Sequence, residues 1–371
     1  MSAGFLPAGV LLGNAPLVQD VFRNSTGEER TRRTGMETEK NKARERNGRM
    51  TGYNTPFIEQ RADPYVTRGG DGTYYFTASV PEYDRIILRQ AATLEGLRTA
   101  EETVLWKKHE SGEMSRHIWA PELHFLFGKW YLYFAAGERD DRWKIRPFVL
   151  ECQSDDPGKG PWVEKGKMQR CGEDSYSFES FSLDATVFCH RGEWYYVWAE
   201  KVSVGVGISN LYIARMESAT KLATAQVLLT TPDYDWERVS IWVNEGPAVL
   251  KHGGRIFLTY SASATGACYC MGMLSIDEES DLLDPRAWKK ERRPVLGTDV
   301  EKGFYGPGHN SFTTLSDGTD ICVYHARTYA EITGDPLYDP NRHTMVMKVA
   351  WDEAGFPVFD YHNRIKNNPE E

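Results

Sequence analysis

No stretch of this chain approaches the roughly 18 consecutive apolar residues that a membrane-spanning helix needs. Its six cysteines, Cys152, Cys171, Cys189, Cys268, Cys270 and Cys322, form no CxxC pair and no metal-finger spacing. They read as small fillers of strands in a reducing compartment, with a disulfide left open. Helical periodicity is almost missing after residue 60, which removes the helical and α/β classes. An excess of positive charge is missing as well: the net charge is −9 over 371 residues. The first 49 residues carry +3 of their own, so the remainder stands at −12, a poor match for a phosphate backbone. Neither a membrane nor a nucleic acid is expected as a partner.

Residues 1–49 belong to a different regime. Residues 21–49 hold nine Lys or Arg against five Glu, with few large apolar side chains, a composition that favours disorder. The mildly apolar FLPAGVLLGNAPLV (5–18) has no basic residue before it and makes a poor secretory signal. The segment therefore reads as a disordered tail or an over-extended start, with Met50 a candidate for the true one. The protein is expected in the cytoplasm, with secretion left open.

What is present is a repeated hairpin. ADPYVTRGGDGTYYF (62–76), APELHFLFGKWYLYF (120–134), LDATVFCHRGEWYYVW (183–198), NEGPAVLKHGGRIFLTY (244–260) and PGHNSFTTLSDGTDICVYH (307–325) each carry two apolar runs joined at a glycine. The turn glycines Gly72, Gly128, Gly192, Gly254 and Gly318 lie 56, 64, 62 and 64 residues apart. Each hairpin is followed by a third strand-like run, at 84–93, 144–153, 209–218, 268–277 and 343–352. Fourth strands are expected at 221–230 and 288–296. Strand-only repeats of this size predict an all-β five-bladed β-propeller over residues 50–371, with four-stranded blades around a central axis. An array of β-sandwiches is the alternative. Aromatic content of 12%, with 11 Trp and 19 Tyr, suffices to fill the space between sheets.

Aligned on their turns, the hairpins place Asp63, Asp184, Glu245 and His309 just before the innermost strands. The second repeat has Ala120 there, beside Trp119 and close to Glu122. First strands of propeller blades line the central channel, so these positions converge. Carboxylates gathered in one pocket cannot all ionise freely, and at least one should hold its proton to higher pH. A protonated acid beside an ionised one is the equipment of glycoside cleavage. A single Asp or Glu at a strand end is more simply a turn or capping residue, and the repetition is what favours chemistry.

At these residues the chain resembles the family 43 glycoside hydrolases, through RADPYV (61–66), HIWAPELH (117–124), SLDATVF (182–188), NEGPAVL (244–250) and GPGHNSF (306–312) in order. The resemblance runs from about Tyr53 to about Asp360. It implies an inverting hydrolase needing no cofactor, with Asp63 as general base, Glu245 as general acid and Asp184 orienting that acid and raising its pKa. It implies Trp119 as an aromatic wall for a sugar, against ordinary packing, and Arg327 as a sugar ligand, against a salt bridge. It makes His309 an axial histidine holding water or a metal, often calcium, although nitrogen is a poor ligand for calcium. SVPEYDRIILRQAATLEGL (79–97) and NRHTMVMKVAW (341–351) resemble the branch of exo-acting α-L-arabinofuranosidases, with chain ends of pentose-containing oligosaccharides or polysaccharides as partners. A β-xylosidase with the same carboxylates is the nearest alternative. A non-catalytic carbohydrate- or protein-binding propeller is the alternative of another class.

Overall fold

Strands account for nearly all the regular structure in a computed structural model that describes residues 55–203 and 207–360; the expectations for residues 1–49 lie outside it. The only helical turns among the described residues are three short 3-10 segments, Glu95–Arg98, Asp235–Glu237 and Pro336–Tyr338.

The first group is a four-stranded antiparallel meander of β1 (Ala62–Arg68), β2 (Tyr74–Ser79), β3 (Arg85–Ala91) and β4 (Thr103–Lys107). The second repeats it with β5 (Arg116–Leu126), β6 (Lys129–Gly137), β7 (Arg146–Cys152) and β8 (Trp162–Lys167). A third comprises β9 (Ser182–His190), β10 (Glu193–Lys201) and β11 (Ile208–Ser218), with β12 (Lys221–Leu222) and β13 (Val227–Thr230) both paired to β11. The fourth is β14 (Trp242–His252), β15 (Arg255–Ala262), β16 (Cys270–Asp277) and β17 (Lys289–Lys290). It shares one nine-stranded sheet with the third through a two-residue parallel step, Ile208 to Trp242 and Ser209 to Val243. The last holds β18 (Tyr305–Thr314), β19 (Asp320–Arg327) and β20 (His343–Lys348), followed by the small pair β21 (Ala350–Trp351) and β22 (Pro357–Val358).

All five expected hairpins are present, and each turn glycine sits at φ between 76° and 88°, a conformation that costs a residue with a Cβ about 1–2 kcal/mol. The run 288–296 forms less strand than expected. Only Lys289 and Lys290 pair with β16, and pairing resumes at Leu296 beyond Pro294, which has no N–H to donate.

The five first strands are neighbours in a closed cycle: β1 meets β5, β5 meets β9, β9 meets β14, β14 meets β18, and β18 meets β1. Five apolar layers follow the same cycle. Leu88 packs with Leu132 and Phe148, Tyr133 with Val187 and Trp198, and Val197 with Leu258 and Leu274. Met271 and Met273 pack with Tyr324 and Met345, and Val323 and Val346 with Val66 and Phe76. Each group is thus covered on both faces, which is why β2 is buried along its whole length instead of alternating. The segment before the first group joins the last one: Phe57 and Ile58 donate to the carbonyl of Thr344 in β20, and Thr344 donates back to Ile58.

All six cysteines are free thiols.

Candidate active site

The ring of first strands carries one irregularity five times. In β1, Ala62 pairs with Ser79 and Tyr65 with Thr77, so Asp63 and Pro64 together stand opposite a single residue. The same bulge falls at Ala120 and Pro121, Asp184 and Ala185, Gly246 and Pro247, and His309 and Asn310. Its first residue is left-handed every time, with φ of 51° at Asp63, 45° at Ala120, 52° at Asp184, 55° at Gly246 and 42° at His309. A bulge bends the strand and redirects its side chains. Four residues with a Cβ tolerate this conformation only because the surrounding packing over-determines it.

The bulge corrects one alignment. Gly246, not Glu245, is the counterpart of Asp63 and Asp184, and Glu245 stands one residue earlier, level with Ala62, Trp119, Leu183 and Gly308. The hairpins differ in length: counting back from the turn glycine takes nine residues to Asp63 and His309 but eight to Ala120, Asp184 and Gly246. A fixed count therefore slips by one. A Cβ at residue 246 would stand 3.1 Å from the His309 ring, so glycine there also gives the imidazole its place.

Asp63, Asp184, Glu245, His309 and Trp119 line one cavity of about 410 Å³. Nδ1 of His309 lies 3.4 Å from Asp63 Oδ1 and 3.7 Å from Asp184 Oδ2. Asp63 Oδ1 also takes a hydrogen bond of 3.2 Å from Arg342 Nη1, and the Asp63 N–H donates to His325 Nδ1 at 3.1 Å. Glu245 Oε1 accepts from the Tyr269 hydroxyl at 2.9 Å. The backbone N–H of Gly246 donates to Asp184.

The three carboxyls differ sharply in charge state. Burial alone would raise Asp63, but the charge of Arg342 reverses this and holds it well below the usual carboxylate range, with the His309 and His325 rings contributing only as polar neighbours. Burial pushes Glu245 up to about 7; the Tyr269 hydrogen bond pulls against it and the charge of Asp63 adds to it. Glu245 keeps part of its surface open to the cavity, yet lies deep enough to lose bulk water. Asp184 is raised by burial, then by Glu245 and Asp63. Asp184 and Glu245 are close enough to titrate as a pair. His309 and His325 are kept neutral by burial, His325 down to about 3. The cavity therefore holds one permanently ionised carboxylate and a pair that retains a proton near neutrality.

Trp119 is 6% exposed and stacks at 4.3 Å on His117, while its indole N–H has no partner among the described residues. Arg327, expected to bind sugar, is instead placed outside the cavity lining and is 1% exposed. It donates to Thr265 O (2.6 Å), Pro336 O (2.7 Å) and Asp339 Oδ1 (3.1 Å), and two of these partners, Thr265 and Pro336, line the cavity. No group of three or more His, Cys, Asp or Glu is arranged for a metal among the described residues. His309 offers nitrogen, and Asp63 is already engaged by Arg342, so the set does not fit the oxygen cage of calcium.

Arg342, Tyr269, His325 and Lys201 were not anticipated. Arg342 lies inside NRHTMVMKVAW and His325 two residues before Arg327, but they stand just before a third strand and on a second one, which an alignment of the first strands does not cover, and Tyr269 in GACYC carries no motif.

The family model of glycosyl hydrolases family 43 matches residues 53–357. An "Extracellular exo-alpha-(1->5)-L-arabinofuranosidase" of Streptomyces avermitilis is 50% identical over 308 residues, 83% of this chain and 63% of that protein. One of the same name from Streptomyces chartreusis is 51% identical over 285 residues, 76% of this chain and 85% of that protein. The crystal structure of an α-L-arabinofuranosidase from Lactobacillus brevis matches with a TM-score of 0.78 and 49% identity, covering 84% of this chain and 97% of that one. The chain belongs to glycosyl hydrolases family 43. It spans less than two thirds of the S. avermitilis relative. The expectation of a cytoplasmic protein is overturned, since both Streptomyces relatives are named extracellular; the weak apolar run at residues 5–18 was too little to judge export by.

Proposed function

We propose that the protein is a secreted, exo-acting α-L-arabinofuranosidase that releases terminal arabinofuranose with inversion from arabino-oligosaccharides or arabinan, on a five-bladed β-propeller. The closed cycle of five first strands and five apolar layers supports the propeller. The single observation that carries the chemistry is the division of charge: Asp63 is held ionised while Glu245, up to about 7, keeps its proton in the same cavity.

Asp63 takes a proton from water as the water oxygen bonds to the anomeric carbon. Glu245 gives its proton to the departing glycosidic oxygen as that C–O bond breaks. Water must fit between the two, which calls for a carboxyl separation of roughly 6.5–9.5 Å instead of the roughly 5–5.5 Å of a retaining pair. Asp184, itself raised by burial and by Glu245, shares one retained proton with Glu245, and while that proton sits on Glu245 the charge of Asp184 helps to hold it there. Trp119 offers an aromatic wall and an unsatisfied N–H to the sugar. His309 holds the carboxylates apart from solvent as a neutral ring.

The names of the relatives support arabinose over xylose. The test is a screen of 4-nitrophenyl α-L-arabinofuranoside against the β-D-xylopyranoside, beside linear arabino- and xylo-oligosaccharides. Release of single arabinose units is expected; preferential release of xylose, or internal cuts, would overturn the reading.

A further inference from the structure

Beyond the three carboxyls, we propose that Tyr269 is a positioning residue for the acid step: its hydroxyl occupies Oε1 of Glu245, so the transferable proton resides on Oε2, and it steadies the carboxylate left behind. This rests on the reading of Glu245 as the general acid.

The arrangement around Tyr269 is built in detail. Its hydroxyl lies 2.9 Å from Glu245 Oε1. Ser261, the cross-strand partner of Glu245, accepts the His309 backbone N–H at 2.7 Å and lies by the Tyr269 phenol, whose pKa it lowers. The one proton of the Tyr269 hydroxyl is given to Glu245, which receives it on Oε1. The phenol ring lies flat on His325, with centroids 5.5 Å apart and planes 7° apart. Space for the ring comes from Gly308, where a Cβ would stand 2.5 Å from Tyr269 Cε1 and 2.8 Å from Ser261 Oγ. The glycine of GPGHNSF is therefore required by a side chain 39 residues away in sequence.

The consequence is chemical. Oε1 already accepts the phenol, and in a neutral carboxyl the carbonyl oxygen is the better acceptor, so the acid carries its proton on Oε2. Tyr269 does not itself transfer a proton, because burial, then the charge of Glu245, raises it well above the usual phenol range. Once Glu245 has given its proton to the leaving oxygen, the phenol donates to a full carboxylate, a charge-assisted and therefore stronger bond. It also limits how far burial can raise the acid. The titratable and charged groups that line the cavity with Glu245 are Asp63 on β1, Asp184 on β9, Lys201 on β10, His309 on β18, Asp335 before the turn at 336–338 and Arg342 before β20. Of these Arg342 and Lys201 act with Tyr269, and Asp63 against it.

The test is the pH dependence of kcat/KM for Tyr269→Phe on an arabino-oligosaccharide, which reports the acid in the free enzyme. Loss of a hydrogen bond to the charged form is expected to move the alkaline limb upward by about one pH unit or more. It should also lower kcat more on the oligosaccharide than on the 4-nitrophenyl glycoside, whose leaving group departs without protonation. A merely structural role would lower both substrates alike and leave the limb in place. An unmoved or lowered limb overturns the proposal. Gly308→Ala, which displaces the ring while keeping the hydroxyl, should shift the limb the same way and provides a second reading if Tyr269→Phe does not fold. Glu245→Gln separates the two levels. If it abolishes oligosaccharide turnover while Tyr269→Phe leaves the limb unmoved, the acid assignment stands and the role of Tyr269 falls; if it leaves turnover intact, both fall.

Discussion

At the scale of single residues, function rests on giving chemically similar carboxyls different environments. Asp63 is surrounded by Arg342 and two imidazoles, whereas Glu245 faces a phenol and an apolar wall that includes Leu183 and Val243. Asp63→Asn should therefore abolish turnover on every substrate, by at least the 10²- to 10⁴-fold typical of a general base. Glu245→Gln should be comparably severe on oligosaccharides but milder on an activated aryl glycoside. Steady-state kinetics of both variants on both substrates check this. For Asp184→Asn the sign follows from the pair. A general acid works only while protonated, so activity falls as pH rises through its pKa. Asp184 lies close enough to Glu245 for their charges to couple, and removing that charge lets Glu245 ionise earlier. The alkaline limb should move to lower pH, the direction opposite to that of Tyr269→Phe, and a pH profile of kcat/KM distinguishes them. The sequence made Asp63, Asp184 and Glu245 legible because a repeat marked their places. It misplaced Glu245 by one residue because the hairpins differ in length, and it hid Tyr269 and Arg342 because they stand just before the third strands β16 and β20, which an alignment of the first strands does not cover.

At the scale of elements, the informative piece is the segment 335–339, whose Asp335, Pro336 and Leu337 wall the cavity. It is held from three sides. Arg327 bonds Pro336 O and Asp339, Tyr329 donates to Asp339 Oδ2 at 2.6 Å, and Tyr83 donates to Leu337 O at 2.5 Å. Tyr83 also receives Arg342 Nη2 at 2.7 Å, and Arg342 reaches Asp63, so the wall and the ionised carboxylate share one hydrogen-bond network. Arg327→Met keeps the apolar stem but leaves the carbonyls of Thr265 and Pro336 without this donor, at about 1–3 kcal/mol for each group left unsatisfied, and takes the counter-charge from Asp339, which keeps its bonds from Tyr329 and Asn341. We expect KM to rise roughly tenfold with kcat reduced less, together with a lowered Tm; a rise in KM without any loss of Tm would mean that Arg327 meets substrate after all. Sequence reading favoured a sugar ligand because burial and partners cannot be seen in a motif. Strands were legible where both faces are buried, as in β2, β6 and β10. The outermost strands β4 and β8 went unnoticed, since their mostly exposed residues carry no apolar pattern.

At the scale of the whole molecule, the ring is complete within the described residues. Phe57 and Ile58 pair with β20 and pack into the layer between the last group and the first. The +3 charge and sparse apolar content of residues 1–49 give them little to add to such a core. A chain beginning at Met50 should therefore unfold cooperatively at an unchanged Tm and retain full activity; a lower Tm or loss of activity in that shortened chain would show that residues 1–49 take part in the fold. The central claim is that Asp63 activates water opposite the departing group while Glu245 protonates it. It is tested most directly by ¹H NMR of the sugar released during the first turnovers on an α-L-arabinofuranoside. The account predicts that β-arabinose appears first and mutarotates afterwards. Initial release of the α-anomer would contradict it, because Asp63 would then be attacking the sugar instead of the water.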